Sequence, residues 1–217
     1  MVSFAELKDR ADNAANVRKA VEAFGFMAPM SVELPENIIG PGGTLVELPD
    51  PDQWWGIGIT TEGYEFESDI DKEETEGHGY SDPVRTDINR VAKTVKWTAY
   101  ETDKRQFLEF TLGMDLSAVT ATADGEIVFE EPDIPDSLEL RCLLVYRDGT
   151  IAKPYYRGKG YSKVKLGDLG SLAWGSESIS QEVTADVQAG PEGFAVRHYI
   201  GGAAFDLAAN GWTPAAP

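Results

Sequence analysis

The run Asp69-Ile-Asp71-Lys-Glu73-Glu74-Thr75-Glu76-Gly77-His78-Gly79 offers alternate acidic oxygens, the hard ligands that calcium prefers. It does not fit a calcium loop. Glu74 stands where an EF-hand needs its turn glycine and Tyr80 where it needs a bidentate glutamate, so the segment reads as a solvated or partner-facing loop. Cys142, His78 and His198 are the whole stock of thiol and imidazole, too little for a Cys/His zinc site or an internal disulfide. His198, between Val196 and Ile200 on the apolar side of an alternating segment, reads as a core histidine. Trp174-Gly175-Ser176-Glu177-Ser178 lacks the flanks of a nucleophile elbow. Arg157-Gly158-Lys159-Gly160-Tyr161 lacks both the upstream glycine and the hydroxyl residue of a phosphate loop. A glycosidase-type carboxylate pair follows no spacing rule, and with 37 acids some always look paired. No cofactor, metal or catalytic residue is expected.

What remains is charge. The 217 residues carry 19 Lys+Arg against 37 Asp+Glu, net −18, which argues against a nucleic-acid affinity built on phosphate neutralisation. The distribution is uneven. Residues 62–82 hold Glu62, Glu65, Glu67, Asp69, Asp71, Glu73, Glu74, Glu76 and Asp82 against Lys72, and 124–139 is acidic with no base. In contrast, 141–165 carries Arg141, Arg147, Lys153, Arg157, Lys159, Lys163 and Lys165 against Asp148. Separate acidic and basic patches can join copies head to tail, into rings or filaments; the basic hairpin can equally neutralise acids of its own domain.

Elements must position these charges. Ser3-x-x-Glu6 has capping-box spacing, and Phe4, Leu7, Ala11, Ala14, Val17, Val21 and Phe24 recur on one helical face up to a capping Gly25, which predicts an N-terminal helix in 1–25. Residues 26–55, broken by Pro29, Pro35, Pro41, Pro49 and Pro51, read as a connecting arm with short strands possible at 31–34 and 44–48. From 56 to 205 short β-branched and aromatic segments alternate with period two, with candidate strands at 56–67, 82–88, 93–101, 126–130, 138–147, 159–166, 176–188 and 194–200. Asp103-x-x-Gln106 predicts a second capped helix ending at Gly113, and Arg147-Asp148-Gly149-Thr150 a hairpin turn. Residues 206–217 form a C-terminal tail. The fold class is mainly β (α+β), an antiparallel β-sandwich or barrel with a flanking short helix. No apolar stretch is long enough for a membrane helix, and no signal sequence is read at the N-terminus, so no membrane insertion is expected.

The order Trp55-Gly-Ile-Gly-Ile-Thr-Thr-Glu-Gly-Tyr-Glu-Phe, an acidic loop, Pro83-Val84-Arg85-Thr86, then Thr94-Val95-Lys96-Trp97-Thr98-Ala99-Tyr100-Glu101-Thr102 and a helix ending at Leu112-Gly113 resembles the major tail tube proteins of long-tailed, siphovirus-type bacteriophages, especially those of actinobacteria. The resemblance implies a virion protein, assembled in the host cytoplasm, whose β-sandwich forms six-membered rings. Those rings stack into a tube for DNA ejection. It further implies tape measure and tail terminator proteins as partners, and loops or arms bridging successive rings, for which Asp69, Asp71, Glu73, Glu74, Glu76 and His78 in the acidic loop 68–81, and the arm 1–55, are the candidates. A conduit must hold DNA in transit without gripping it. Glu65, Glu67, Glu182 and Asp186 each alternate with apolar neighbours on a candidate strand, and are the lumen candidates. The alternative is a non-catalytic β-sandwich ligand-binding module, for carbohydrate or a receptor, stacking on Trp54, Trp55 or Trp174; a carboxylate-dependent hydrolase ranks below it.

Overall fold

A computed structural model describes residues 2–12 and 14–214. Helix α1 (Phe4–Ala11) has the expected box: the Glu6 N–H donates to the Ser3 hydroxyl at 3.2 Å, and the Ser3 N–H to the Glu6 carboxylate at 2.7 Å. It stops there. The helix expected to run to Gly25 is replaced by a single 3-10 turn at Ala14–Asn16 and by strand β1 (Glu22–Pro29). Phe24 continues the helical stripe from Val21, but Phe24, Phe26 and Ala28 also alternate with Gly25 and Met27, and a run apolar on both sides suits an interior strand equally well. Gly25 is not a cap. A Cβ there would stand 2.6 Å from Leu144 Cδ2 and Tyr64 Oη and 2.7 Å from Ile57 Cδ1, so the position is glycine because three side chains close over it.

The other strands are β2 (Trp55–Gly56), β3 (Glu65–Thr75), β4 (Arg85–Ala99), β5 (Leu140–Thr150), β6 (Lys153–Leu169), β7 (Gln181–Gln188) and β8 (Val196–Gly201). All pair antiparallel in the order β2-β1-β5-β6-β7-β4-β3, with β8 beside the first half of β6. Residues 55–61 bond to β1 at one end, where Ile57 N–H meets the Gly25 carbonyl at 2.9 Å, and to the end of β4 at the other, where Tyr100 N–H meets the Ile59 carbonyl at 3.0 Å. The sheet therefore curls toward a barrel. Its inner face buries Met27, Ile57, Val95, Trp97, Cys142, Leu144, Tyr161, Val164 and Val183, and burial pushes the Cys142 thiol far up, leaving it inert. Helix α2 (Arg105–Leu112) closes one end with Phe107 and Phe110, the latter stacked on Trp97 at 6.4 Å.

Several expected boundaries move. Asp103 does not cap α2, whose N-cap is Lys104 without a side-chain bond; Gly113 does end it, with φ +60° and its carbonyl accepting from Asp136 N–H at 2.8 Å. The β5–β6 turn is Ile151–Ala152 rather than Asp148–Gly149, because pairing continues to Thr150 opposite Lys153. Residues 126–130 form no strand, whereas 82–88 and 93–101 merge into β4. Residues 57–64 are no strand either, apart from a bridge between Thr60 and Ala99.

The proline-broken segment after β1 is packed on its own domain. Val32, Leu34, Ile38 and Trp54 cover the outer face of β5 and β8 at Leu143, Val145 and Tyr199. Prolines deny this segment a strand ladder, so side chains satisfy its carbonyls instead. Tyr199 Oη donates to Pro35 O at 2.6 Å, Arg197 to Pro35 O at 3.0 Å, and Arg141 Nε to Val32 O at 3.1 Å. Arg141 is 2% exposed. Its guanidinium also bonds to Ser162 O at 2.8 Å and forms a two-point ion pair with Glu192. That pairing holds the Glu192 carboxyl down to about 2 from the ordinary 4.5, with the Arg141 hydrogen bonds as the largest cause and the Ser162 hydroxyl adding to them against burial. Because the folded value is depressed, the stabilisation is present above the ordinary value and is lost as pH falls from there toward the folded one. Melting curves of wild type and Glu192→Gln should therefore be separated at pH 7 and converge as pH approaches 2; a separation that stays constant with pH would contradict the assignment.

Candidate functional site

Strand β3 places acids at every second position, Glu65, Glu67, Asp69, Asp71 and Glu73, and period two puts all five on one face. Pairing of β4 with β7 ends at Lys93 opposite Val187, while β3 and β4 go on pairing to Thr75 opposite Arg85. Residues 69–75 and 85–92 are thus a two-stranded ribbon projecting past the sheet. The expected acidic loop 68–81 is mostly strand, and only residues 76–84 form its tip. Asp69, Asp71 and Glu73 lie on the acidic face, where Asn89 donates to Glu73 at 3.2 Å; Glu74 lies on the other, and Glu76 and His78 are exposed at the tip. The opposite face carries Ile70 directly across from Val91, with Ile88 two pairs along across from Lys72, and Ile70, Val91 and Ile88 are 47%, 42% and 62% exposed. The ribbon thus carries acids on one face and uncovered aliphatics on the other.

The acidic face runs back onto the sheet. Glu65 lies across from Lys96, and Glu67, Thr94 and Asp186 form one cross-strand row through β3, β4 and β7. Glu182 pairs with Lys96 at 2.9 Å. Glu182 first, then Glu65 and Glu67, raise the Lys96 ammonium above its ordinary value, which shows three acids converging on one cation. In β7, Val183 and Ala185 are fully buried while Glu182 and Asp186 are exposed, so the parity read from sequence holds. This outer face of β3, β4 and β7 lies beyond the segment that covers β5 and β8.

The basic residues do not form one patch. Arg141 is the buried clamp, Arg147 pairs with Glu22 at 2.9 Å, and Lys163 and Lys165 both reach Glu139, at 3.5 and 2.8 Å. Their charges are met within the chain. Lys153 flanks the β5–β6 turn. Arg157 and Lys159 are different: among the described residues neither has an ion pair, and both line the open end of the barrel, opposite α2. Burial first and Arg157 second lower the Lys159 ammonium, whose Nζ stands 3.4 Å from the centre of the Phe66 ring. His198, expected in the core, is exposed across from Lys159, because Tyr199 takes the side of β8 that the proline-broken segment covers. Burial, then Lys159 and Arg157, hold its imidazole below the ordinary range. Sequence reading missed this open end, since Arg157 and Lys159 share it with Ala23, Tyr64 and Tyr146 from distant elements.

Among the described residues no cluster of three or more His, Cys, Asp or Glu could hold a metal ion, and no helix is long and apolar enough to cross a membrane. The class defined by fold and surface is a curled antiparallel β protein whose distinctive features are exposed charged and apolar faces. A family model described as phage tail tube protein matches residues 10–189, and the chain belongs to that family. No curated protein matches it. It is a structural protein of the phage tail.

Proposed function

We propose that this protein assembles with copies of itself into stacked six-membered rings that form the tail tube, and that the tube conducts DNA during ejection. The observation carrying this reading is the ribbon built from β3 and β4: an element with an acidic face and an uncovered aliphatic face, on a chain of a tail tube family. The uncovered aliphatics seat against a neighbouring copy. The acidic face, continued by Glu65, Glu67, Glu182 and Asp186, faces the bore, where it repels phosphates so that no position along the tube traps DNA. Asp69, Asp71, Glu73, Glu74, Glu76 and His78 lie along the ribbon that would bridge rings. Lys153, Arg157 and Lys159 are the basic residues available to an interface. A tape measure inside the tube and a terminator at its end are the further partners, and a long-tailed, actinobacteriophage-type tail is the setting.

Negative-stain microscopy with sedimentation at rising concentration tests assembly: hollow tubes or six-membered rings are expected, and a monomer at every concentration would overturn the proposal. The bore assignment has its own test. Tubes carrying Glu65→Lys, Glu67→Lys, Glu182→Lys and Asp186→Lys should retain short duplex DNA on co-sedimentation at low salt and release it at high salt, whereas wild-type tubes retain none. Equal behaviour of the two tubes would place these acids away from the bore.

A further inference from the structure

We infer that the open end of the barrel is a socket for the loop 170–180 of a second copy, with Trp174 as the inserted anchor and Glu177 as the counter-ion of Arg157 and Lys159. The inference rests on the self-assembly reading above and names the contact within it.

The socket is a recess of about 380 Å³ walled largely by apolar surface, including Ala23, Tyr64, Phe66 and Tyr146. Arg157 and Lys159 stand on its wall without an ion pair among the described residues, and Glu62 is the one acid of the lining. Two neighbouring cations in an aromatic-lined recess, Lys159 against the Phe66 ring, suit an occupant that brings an apolar anchor, a π face and a carboxylate.

The chain supplies such a segment. Residues 170–180 carry Glu177 and no Lys or Arg. Trp174 is 84% exposed, whereas Trp54 and Trp97 are 6% and 3% exposed, and Leu172 and Ile179 in the same loop are also uncovered. Tryptophan is enriched among residues that dominate interface energies, and its face is the best partner for a cation.

The topology dictates that the occupant comes from another molecule. Lys159 lies in the first half of β6 and the loop begins after Leu169 at its far end, ten residues on, roughly 30 Å of strand at 3.3 Å per residue. Gln181, where the loop ends, pairs with Ala99 at the end of the barrel that α2 closes. Anchor and socket therefore sit at opposite ends of one barrel. A contact of this kind is head to tail and repeats from copy to copy, as a tube requires.

The test uses the full chain. Trp174→Ala should keep the wild-type melting midpoint, since the side chain is exposed, and raise the concentration for half-assembly roughly tenfold or more. Glu177→Lys and Lys159→Glu should each weaken assembly, and the double variant should recover it. In assembled material, Trp174→Cys with Ala23→Cys should form a disulfide between copies, against a buried Cys142 that contributes no background. Wild-type assembly together with normal assembly of Trp174→Ala would overturn this inference and leave the self-assembly reading standing. So would cross-linking of Ala23→Cys to Ile134→Cys in place of Trp174→Cys, which would give the socket to the acidic 124–139 segment. A wild type that never assembles would sink both.

Discussion

Replacing residues 70–91 with Asn-Gly is expected to leave a folded barrel that no longer forms tubes. Asp69 and Ala92 already oppose each other across β3 and β4, so a two-residue turn joins them without a change of register. The removed side chains of β3 are all exposed, as are those of β4 between Arg85 and Val91 apart from the half-buried Asp87. The fold should therefore lose little, on the order of 0.5 kcal/mol. Assembly should lose much more. Ile70, Ile88 and Val91 are each about half exposed, and completing the burial of such a side chain contributes about 1 kcal/mol. Three of them amount to about 3 kcal/mol, or roughly a hundredfold in the concentration for half-assembly. Sedimentation of the shortened chain beside wild type measures this directly. Tubes at the wild-type concentration would show that the aliphatic face stays in solvent, and Ile70→Ser with Ile88→Ser tests the same point with the ribbon kept.

Arg141→Met should destabilise the fold by about 3 kcal/mol, the scale for breaking a buried, hydrogen-bonded pair from one side. The methionine fills much of the stem's volume but donates nothing, so the Val32 and Ser162 carbonyls and the Ser162 hydroxyl lose a donor together. Glu192, about one-third exposed, regains water more easily and adds less to the cost. For a chain of this length that loss corresponds to roughly 6–12 °C in the melting midpoint. Glu192→Gln should cost less, and the double variant less than the sum, since both act on one network. A melting midpoint within about 2 °C of wild type for Arg141→Met would show that the clamp contributes no more than a surface pair. The clamp also fixes residues 30–34 on the sheet, so its loss should expose that segment to proteolysis before global unfolding.

Local chemistry was legible in the sequence where a local rule decides it. The Ser3–Glu6 box needs only a three-residue spacing, and Gly113 ends α2 because its left-handed backbone at φ +60° favours glycine. The parity of β7, with Val183 and Ala185 in and Glu182 and Asp186 out, follows from period two along a single strand. The β class and the placing of Glu65 and Glu67 on one strand face rest on the same alternation, whereas Asp69, Asp71 and Glu73, read as a loop, joined that face only through pairing with β4. Tertiary structure decided everything that depends on which strand meets which. Phe24 and Met27 satisfy a helical stripe as well as a strand, and the pairing of β1 with β5 chose between them. The proline-broken segment read as a free arm because its carbonyl partners, Arg141, Arg197 and Tyr199, lie more than a hundred residues away. Arg141 belonged to a basic run until its acid, 51 residues on, took it into the core, whereas Arg157 and Lys159 have no ion pair among the described residues and share their recess with one acid, Glu62. Spacing along the chain determines the period of a segment; closure of the sheet determines which charges are left for another molecule.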